Sequence, residues 1–249
     1  MAFNKSKFLR VIFYLSLMVC VFSFFYKNQL PIKTEVLPFL FSKPIQTPTD
    51  KGPFQIIKDG VIYKIDPLYN YEFYGLVVSH HRSFSGADYY HDMKKDYLNV
   101  EDVCVVYADN ISSGVYRRAK FSSGPWRCDY RLDSAKDSPA FKDQDFLNAH
   151  VLTQDPRLVS EISQVDNGDQ IYIKGYMVNY SNGYGLDRES SASQDVAGAS
   201  SSKLIYLTDF QLYKKNDNIW HYIFIVSGGL AFFSIVLGLV NFLFFSKHH

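Results

Sequence analysis

The chain has 249 residues, of which 47% are hydrophobic and 20% charged, and its 26 basic side chains nearly balance 25 acidic ones. This composition excludes a disordered chain, and the near-neutral balance excludes a strongly basic nucleic-acid-binding protein. The length allows one or two folded units at about 100 to 200 residues each.

The first predicted element is a transmembrane helix over residues 11–26, preceded by a short N-terminus, residues 1–10. The helix carries no charge, and we interpret it as an uncleaved signal anchor. A cleavable signal peptide is the alternative, because the run has only 16 residues. Its end, Phe22 to Tyr26, has no small-x-small pattern for signal peptidase.

The charges before this helix predict its orientation. Lys5, Lys7 and Arg10 precede it, and positive charges next to a membrane span tend to stay in the cytoplasm. The middle of the chain is then exported, and the tail, residues 246–249, returns to the cytoplasm.

Residues 27–53 contain five of the nine prolines of the chain. Proline is unsuited to the interior of helices and central strands. We therefore expect a semi-extended linker that holds a folded domain away from the membrane.

Residues 54–218 are predicted to form a mainly β domain. Runs rich in Tyr, Val and Ile are typical of strands, and they cover residues 61–65, 71–79, 103–107, 126–131, 171–180 and 204–213. An amphipathic turn is expected around Tyr90 to Tyr97. Ser138-Pro139 and Asp155-Pro156 each have a capping residue followed by proline, which predicts one or two short helices.

The segment Val165-Asp166-Asn167-Gly168-Asp169-Gln170-Ile171-Tyr172-Ile173-Lys174-Gly175-Tyr176 is similar to the entry to the fourth strand of oligonucleotide/oligosaccharide-binding (OB) barrels. The order of strands, helix and closing strand also resembles that family. The resemblance covers about residues 63–214 and implies an OB-like small barrel. Residues 88–102 would be an insertion, and the basic groove expected for nucleic acid is missing.

Charge in residues 27–218 also disfavours nucleic acid. This region holds all 25 acids and all basic residues except Lys5, Lys7, Arg10 and Lys247, which gives a net charge of −3. Phosphate binding requires clustered positive charge, and no nucleic-acid partner is expected.

Two cysteines of the domain, Cys104 and Cys128, are expected to form a disulfide between strands, because the exported compartment is oxidising. The redox-active alternative favours a Cys-x-x-Cys spacing, which is absent. The third cysteine, Cys20, lies in the first apolar helix.

No motif names a reaction, and no catalytic residue or cofactor is predicted. His81, His91 and Asp92 are the first candidates if a metal binds, although their spacing matches no metal-binding motif and ordinary polar histidines are the alternative. The acidic pairs Glu101-Asp102 and Asp143/Asp145 are typical of solvated surfaces.

Sixteen of the 19 tyrosines lie between Tyr63 and Tyr213. Tyrosine suits strands and half-buried barrel walls. The functional alternative is a stacking surface for glycan or peptide, with Tyr89, Trp126 and Tyr184 as candidate ligand-binding residues. The Ser-rich loop over residues 181–203 is either a ligand-shaping loop or a tolerated insertion.

The last element is a second transmembrane helix over residues 219–245. Small or polar residues share one of its faces, at steps of three and four: Ser227, Ala231, Ser234, Gly238 and Asn241. This face packs either against the first helix or against a second copy or another membrane protein.

These features predict a membrane protein with two spans and a non-catalytic, extracytoplasmic binding or scaffolding domain of the cell envelope. The simplest location is a bacterial inner membrane with the domain in the periplasm. The alternative is a metal-dependent hydrolase of envelope polymers. Asn110 and Asn179 begin glycosylation sequons, which would matter in a eukaryotic lumenal domain.

Overall fold

The computed structural model describes residues 5–83, 89–134, 136–191 and 202–245. The chain divides into two units, one built from its two ends and the other from residues 30–216. The helices are α1 (Lys5–Phe24), α2 (Tyr89–Met93), α3 (Ala108–Ser113), α4 (Pro156–Ile162) and α5 (Ile219–Phe245). The strands are β1 (Ile45–Pro48), β2 (Phe54–Lys58), β3 (Val61–Arg82), β4 (Asn99–Val106), β5 (Ala119–Gly124), β6 (Arg127–Leu132), β7 (Phe146–Leu152), β8 (Gln170–Asn182), β9 (Asp187–Arg188) and β10 (Ser202–Lys214).

The first unit contains two helices that are long and apolar enough to cross a membrane. Their apolar windows are Lys7–Phe24, with 18 residues, and Ile219–Val240, with 22 residues. At 1.5 Å per residue the second window reaches about 33 Å, which matches the hydrocarbon core of a bilayer.

Small side chains lie where these two helices contact each other. The buried small residues of the pair are Ser16, Ser23, Ser227, Ala231 and Ser234. A Cβ atom built on Gly238 would meet no atom within 4 Å. The side chain of Asn241 lies outside the described part of the structure. The face predicted on the second helix is therefore directed partly at α1.

The second unit is mainly β, as predicted, and most of its strands belong to one large sheet. The antiparallel pairs β3–β4, β4–β7, β10–β8 and β8–β3 are joined by one parallel pair, β7–β10. This series of pairings passes through five strands and returns to β3. Strands β1 and β2 add to β3, and β9 adds to β8.

The predicted runs over residues 61–65 and 71–79 are parts of one strand, β3, which has 22 residues. Its pairing register with β8 shifts between Pro67 and Tyr69. Proline supplies no N–H to a ladder, so an irregularity at this point is expected. The segment between the two runs differs from them in composition, but all of it belongs to one continuous strand.

The core lies between the strands that form this series of pairings. Val103 and Val105 of β4 and Ala149 and Val151 of β7 belong to one buried cluster. Because alternate side chains of a strand point to opposite faces, Asp102 and Cys104 of β4 lie on the outer face of the sheet. The β5–β6 hairpin, a separate two-stranded sheet, contacts that region of β4.

The disulfide joins this hairpin to the main sheet. The structure places Cys104 of β4 and Cys128 of β6 at disulfide distance, with 5.8 Å between their Cα atoms. Both cysteines are fully buried. The hairpin is therefore tied covalently to the sheet that it covers.

Part of the segment predicted as a linker packs on the β domain instead. Val36 and Leu40 are buried, and β1 pairs with β3. The Gln170 side chain accepts a hydrogen bond from the Leu37 N–H at 2.7 Å and donates one to the Glu35 carbonyl oxygen at 3.0 Å. Proline is compatible with short 3₁₀ turns and edge strands, so the proline content did not exclude these contacts.

Only one of the two proline-based helix predictions corresponds to a helix. In α4 the Asp155 side chain accepts a hydrogen bond from the Arg157 N–H at 2.8 Å, and Pro156 occupies the first turn. Ser138 and Pro139 lie in a turn without helix. The predicted amphipathic turn corresponds to α2.

Candidate functional site

A cluster of buried or half-buried polar and aromatic side chains lies on the outer face of β4 and β7. We call it the Asp102 cluster, and its members are His91, Asp96, Asn99, Asp102, Trp126, His150 and Tyr180. Asp102 and His150 are direct cross-strand partners in the β4–β7 register. Asp102 is 0% exposed and His150 is 1% exposed, so water reaches neither side chain to any extent.

Asp102 is held by three hydrogen-bond donors. It lies 2.6 Å from His150 Nδ1 and 2.8 Å from the Asn99 amide nitrogen, and it accepts the backbone N–H of Trp126 at 2.8 Å. Burial by itself would raise the pKa of Asp102. The opposing effects of His150, Asn99 and Trp126 nevertheless hold that pKa below its ordinary value of 3.8.

This lowered pKa sets the direction of the hydrogen bond between Asp102 and His150. Asp102 is ionised near neutral pH and can only accept hydrogen bonds, so the Nδ1 atom of His150 carries a proton and donates it. The pair has the geometry of a carboxylate that orients an imidazole.

The second half of the cluster surrounds Asp96. The Tyr180 hydroxyl donates to both carboxylate oxygens at 2.9 and 3.0 Å, and His91 Nε2 lies 3.8 Å from Asp96. The Asn99 amide nitrogen lies 3.1 Å from the same His91 nitrogen, which links the two halves of the cluster. Burial raises the pKa of Asp96 to about 6, against the lowering effects of His91 and Tyr180.

Trp126 occupies a turn position that usually requires glycine. It follows Pro125 in the turn between β5 and β6, and its φ angle is +61°. A left-handed conformation costs a residue with a side chain roughly 1–2 kcal/mol. The hydrogen bond to Asp102 and the packing of the indole ring offset that cost.

The Trp126 ring contacts two histidines and one arginine. Its centroid lies 4.5 Å from that of His150 and 5.4 Å from that of His91, and the Arg188 guanidinium lies 4.2 Å from the ring centroid. Such a cation–π contact contributes about 0.5–2 kcal/mol. Trp126 therefore anchors the hairpin to the main sheet through these contacts.

The other aromatic candidates lie on a more open surface. Tyr89 is 77% exposed and Tyr184 is 50% exposed. The Lys95 ammonium lies 3.9 Å from the Tyr184 ring centroid. No ring contact within the described residues joins Tyr89, Trp126 and Tyr184, so the structure does not bring the three candidates into one stack.

The three candidate metal ligands also have different contacts. The His81 and His91 rings are 6.5 Å apart, whereas Asp92 accepts a hydrogen bond from the Tyr97 hydroxyl at 3.4 Å. Across residues 5–83, 89–134, 136–191 and 202–245, no group of three His, Cys, Asp or Glu side chains is placed to hold a metal ion.

The interpretation of the acidic pairs as solvated surface is wrong for three of the four residues. Glu101, Asp102 and Asp145 are each 0% exposed. Glu101 lies 2.7 Å from His80 Nδ1, and burial raises its pKa while His80 opposes that rise. Buried carboxylates require such partners, and the partners are distant in sequence.

The sequons lie in ordered structure. The Asn110 side chain is 0% exposed, donates to the Lys142 carbonyl oxygen at 2.8 Å and accepts the Lys142 N–H at 2.8 Å. Asn179 accepts the Ser190 N–H at 2.9 Å. The buried Asn110 amide is not accessible to a glycosylating enzyme in the folded domain.

The raised pKa of Asp96 predicts a pH dependence of stability. The folded-state pKa of about 6 exceeds the ordinary value of 3.8, so the folded protein binds this proton more tightly than the unfolded chain. The stabilisation is complete below pH 3.8 and is lost as the pH rises through about 6. Between pH 4.5 and pH 7.5 the parent should therefore lose about 2 kcal/mol of its free energy of unfolding that Asp96→Asn does not lose.

Chemical unfolding of the full chain in detergent, followed by circular dichroism at several pH values, measures this difference. Asp92→Asn is the control, because Asp92 is exposed. Equal pH profiles for the parent protein and Asp96→Asn would contradict the prediction.

No protein-family model matches this sequence, and no curated protein or solved structure is significantly similar to it. Function must therefore be inferred from the chain's own residues. The Asp102 cluster and the exposed tyrosines beside it are the starting point.

Proposed function

We propose that the chain is a membrane-anchored, extracytoplasmic binding or scaffolding protein of the cell envelope, and that it acts without catalysis. The observation that carries the proposal is the arrangement of the chain: a β domain with a cysteine pair at disulfide distance is inserted between two helices of membrane-spanning length. Disulfides persist in oxidising compartments outside the cytoplasm.

We place the protein in a bacterial inner membrane, with its domain in the periplasm. The support for this orientation is the positive charge of Lys5, Lys7 and Arg10 beside the first helix. Both helices then cross the membrane, and the domain is held near the lipid surface, where envelope components are its partners.

The β domain is proposed to be an OB-like barrel. Three features support this assignment: the pairings of five strands return to β3, the only parallel pair among them is β7–β10, and α4 lies between β7 and β8. OB barrels bind ligands on their second and third strands and on the loops beside them. The equivalent strands here are β4 and β7, whose outer face carries the Asp102 cluster.

Binding rather than catalysis is supported by the contacts within this cluster. His150 and Asn99 are both hydrogen-bonded to Asp102, and the Trp126 ring contacts the rings of His150 and His91. These contacts fix the hairpin and support the adjacent surface, where Tyr184 is half-exposed. We assign partner binding to that surface. The donor geometry of the described residues gives no support to a metal-dependent hydrolase.

Two measurements test the proposal. Protease added to intact spheroplasts should digest the β domain, and complete protection until lysis would overturn the orientation. A photo-crosslinking amino acid at position 184 should form an adduct with an envelope component in native membranes. The same group at Ile57, which is 68% exposed, is the control.

The captured component should also co-purify with the parent protein and be lost in Tyr184→Ser. Equal adducts at positions 184 and 57, or co-purification unchanged in Tyr184→Ser, would argue against this binding surface.

A further inference from the structure

A polar groove crosses four strands of the β domain, apart from the Asp102 cluster. Its volume is about 420 Å³, and it is lined by residues of β1, β3, β8 and β10. This volume lies in the range of small-molecule sites. Its exposed lining residues are Ile45, Thr47, Asn70, Lys174 and Thr208, and Glu72 and Tyr176 are half-buried.

The strand register places these side chains in two rows. Thr47 pairs with Asn70, and Asn70 pairs with Tyr176. In the second row, Ile45 pairs with Glu72, and Glu72 pairs with Lys174. Cross-strand partners share a face of the sheet, so the two rows form one continuous surface.

The floor of the groove depends on a close approach of two strands at Gly175. A Cβ atom at this position would lie 2.2 Å from the carbonyl oxygen of Tyr206. Glycine permits this approach of β8 to β10. The β10 register shifts between Leu207 and Asp209, and the intervening Thr208 is exposed at the groove. The backbone at Gly175 and the register shift of β10 therefore shape the groove.

The groove contains mixed polar groups and balanced charge. Glu72 and Lys174 lie 3.6 Å apart, so their charges largely offset each other. The Asn70 amide donates one hydrogen bond to the Pro48 carbonyl oxygen at 2.8 Å, and the Thr208 hydroxyl donates one to the Lys174 carbonyl oxygen at 3.1 Å. The Asn70 amide oxygen and second N–H, the Thr208 oxygen and the Thr47 hydroxyl then supply both donors and acceptors for a ligand. A neutral ligand with many hydroxyl groups matches this set, and the Tyr176 ring offers it an apolar surface.

We propose that this groove binds a neutral sugar unit of an envelope glycan. An extended peptide is the competing occupant, because β1 is paired only with β3 in the described sheet. Pro44 precedes this four-residue strand and Pro48 is its last residue, and proline has no N–H to donate. An added peptide strand would therefore gain few backbone hydrogen bonds, whereas sugar hydroxyls are recognised by side chains.

The test uses the full chain in lipid nanodiscs, where the domain is accessible whatever its orientation in cells. Saturation-transfer NMR and calorimetry are run with chitobiose, maltose, cellobiose and a pool of extended heptapeptides. At least one neutral disaccharide should bind saturably, with a Kd of about 1 mM or tighter. Thr47→Trp, which fills the groove from an exposed position, and Tyr176→Ala should each weaken that binding about tenfold or more.

Ile57→Ala is the control, because Ile57 is 68% exposed and lies outside the groove, and its Kd should stay within about twofold of the parent value. Asn70→Ala is a second groove variant, whose fold is checked by circular dichroism. Absence of saturable disaccharide binding, binding unchanged by Thr47→Trp and Asn70→Ala, or peptide binding in the groove would each overturn the proposal. An equal loss of binding in Ile57→Ala would also overturn it, because Ile57 does not line the groove.

Discussion

Replacement of Asp102 by alanine should lower the free energy of unfolding of the β domain by about 3–5 kcal/mol. The substitution leaves the His150 Nδ1–H, the Asn99 amide and the Trp126 N–H without their acceptor in a buried region. Unpaired buried groups keep their full desolvation cost. The change also releases Trp126 from the hydrogen bond that holds its left-handed backbone conformation.

The matched control for this substitution is Asp133→Ala. Asp133 is 55% exposed and pairs with Lys120 at 3.0 Å. An exposed ion pair contributes about 1 kcal/mol at most. Chemical unfolding of both variants in detergent measures the contrast, and hydrogen exchange at residues 124–127 reports the hairpin turn. A loss for Asp102→Ala as small as that of Asp133→Ala would refute the structural role assigned to the cluster.

The pH dependence of this contribution has the opposite sign to that of Asp96. The folded-state pKa of Asp102 is lowered, so its stabilisation is present above the ordinary value of 3.8 and is lost as the pH falls through the folded-state value. Asp96 instead favours the protonated form when folded. The two carboxylates of the cluster therefore respond to acid in opposite ways. Three hydrogen-bond donors lower the pKa of Asp102, whereas burial raises the pKa of Asp96.

Sequence periodicity and composition were sufficient for the apolar helices, for most long strands and for α4. A run such as Ile171 to Tyr180 has the β-branched and aromatic content that strands favour, and β8 covers it. The strand β7 was missed because Asn148 and His150 interrupt its apolar pattern. Both residues lie on the outer face, where the hairpin covers them, so polar side chains there are paired rather than solvated.

The Asp102 cluster could not be predicted, because its members come from distant parts of the chain. His150 and Asp102 are 48 positions apart, and Tyr180 and Asp96 are 84 apart. Adjacent acids such as Glu101-Asp102 resemble a solvated surface unless their strand is known to be covered on both faces. The sequence of β4 does not indicate that both of its faces are covered, because its outer face is buried by the hairpin that the chain inserts between β4 and β7.

Removal of the disulfide in the double variant Cys104→Ala/Cys128→Ala should lower the free energy of unfolding by about 3–4 kcal/mol. The bond spans 24 residues in sequence, and the chain-entropy model assigns a loop of this size about that stabilisation. The variant Cys20→Ser is the control, because Cys20 is a free cysteine outside the β domain. It should leave the stability of that domain unchanged.

The loss should also be uneven across the domain, because the described β5–β6 hairpin has no backbone pairing with the main sheet. Without the disulfide its attachments include the Trp126 hydrogen bond to Asp102 and a hydrogen bond from Ser123 to the His80 carbonyl oxygen at 2.6 Å. Hydrogen exchange should therefore accelerate first in residues 119–132, while the β3–β8 ladder stays protected. Free thiols at both positions in the native protein, or uniform acceleration across the sheet, would contradict a covalently fastened hairpin. The disulfide and the Asp102 cluster thus hold the same hairpin on the same face of β4, through residues two positions apart. Combining Asp102→Ala with the cysteine variant should therefore cost less than the sum of the separate losses.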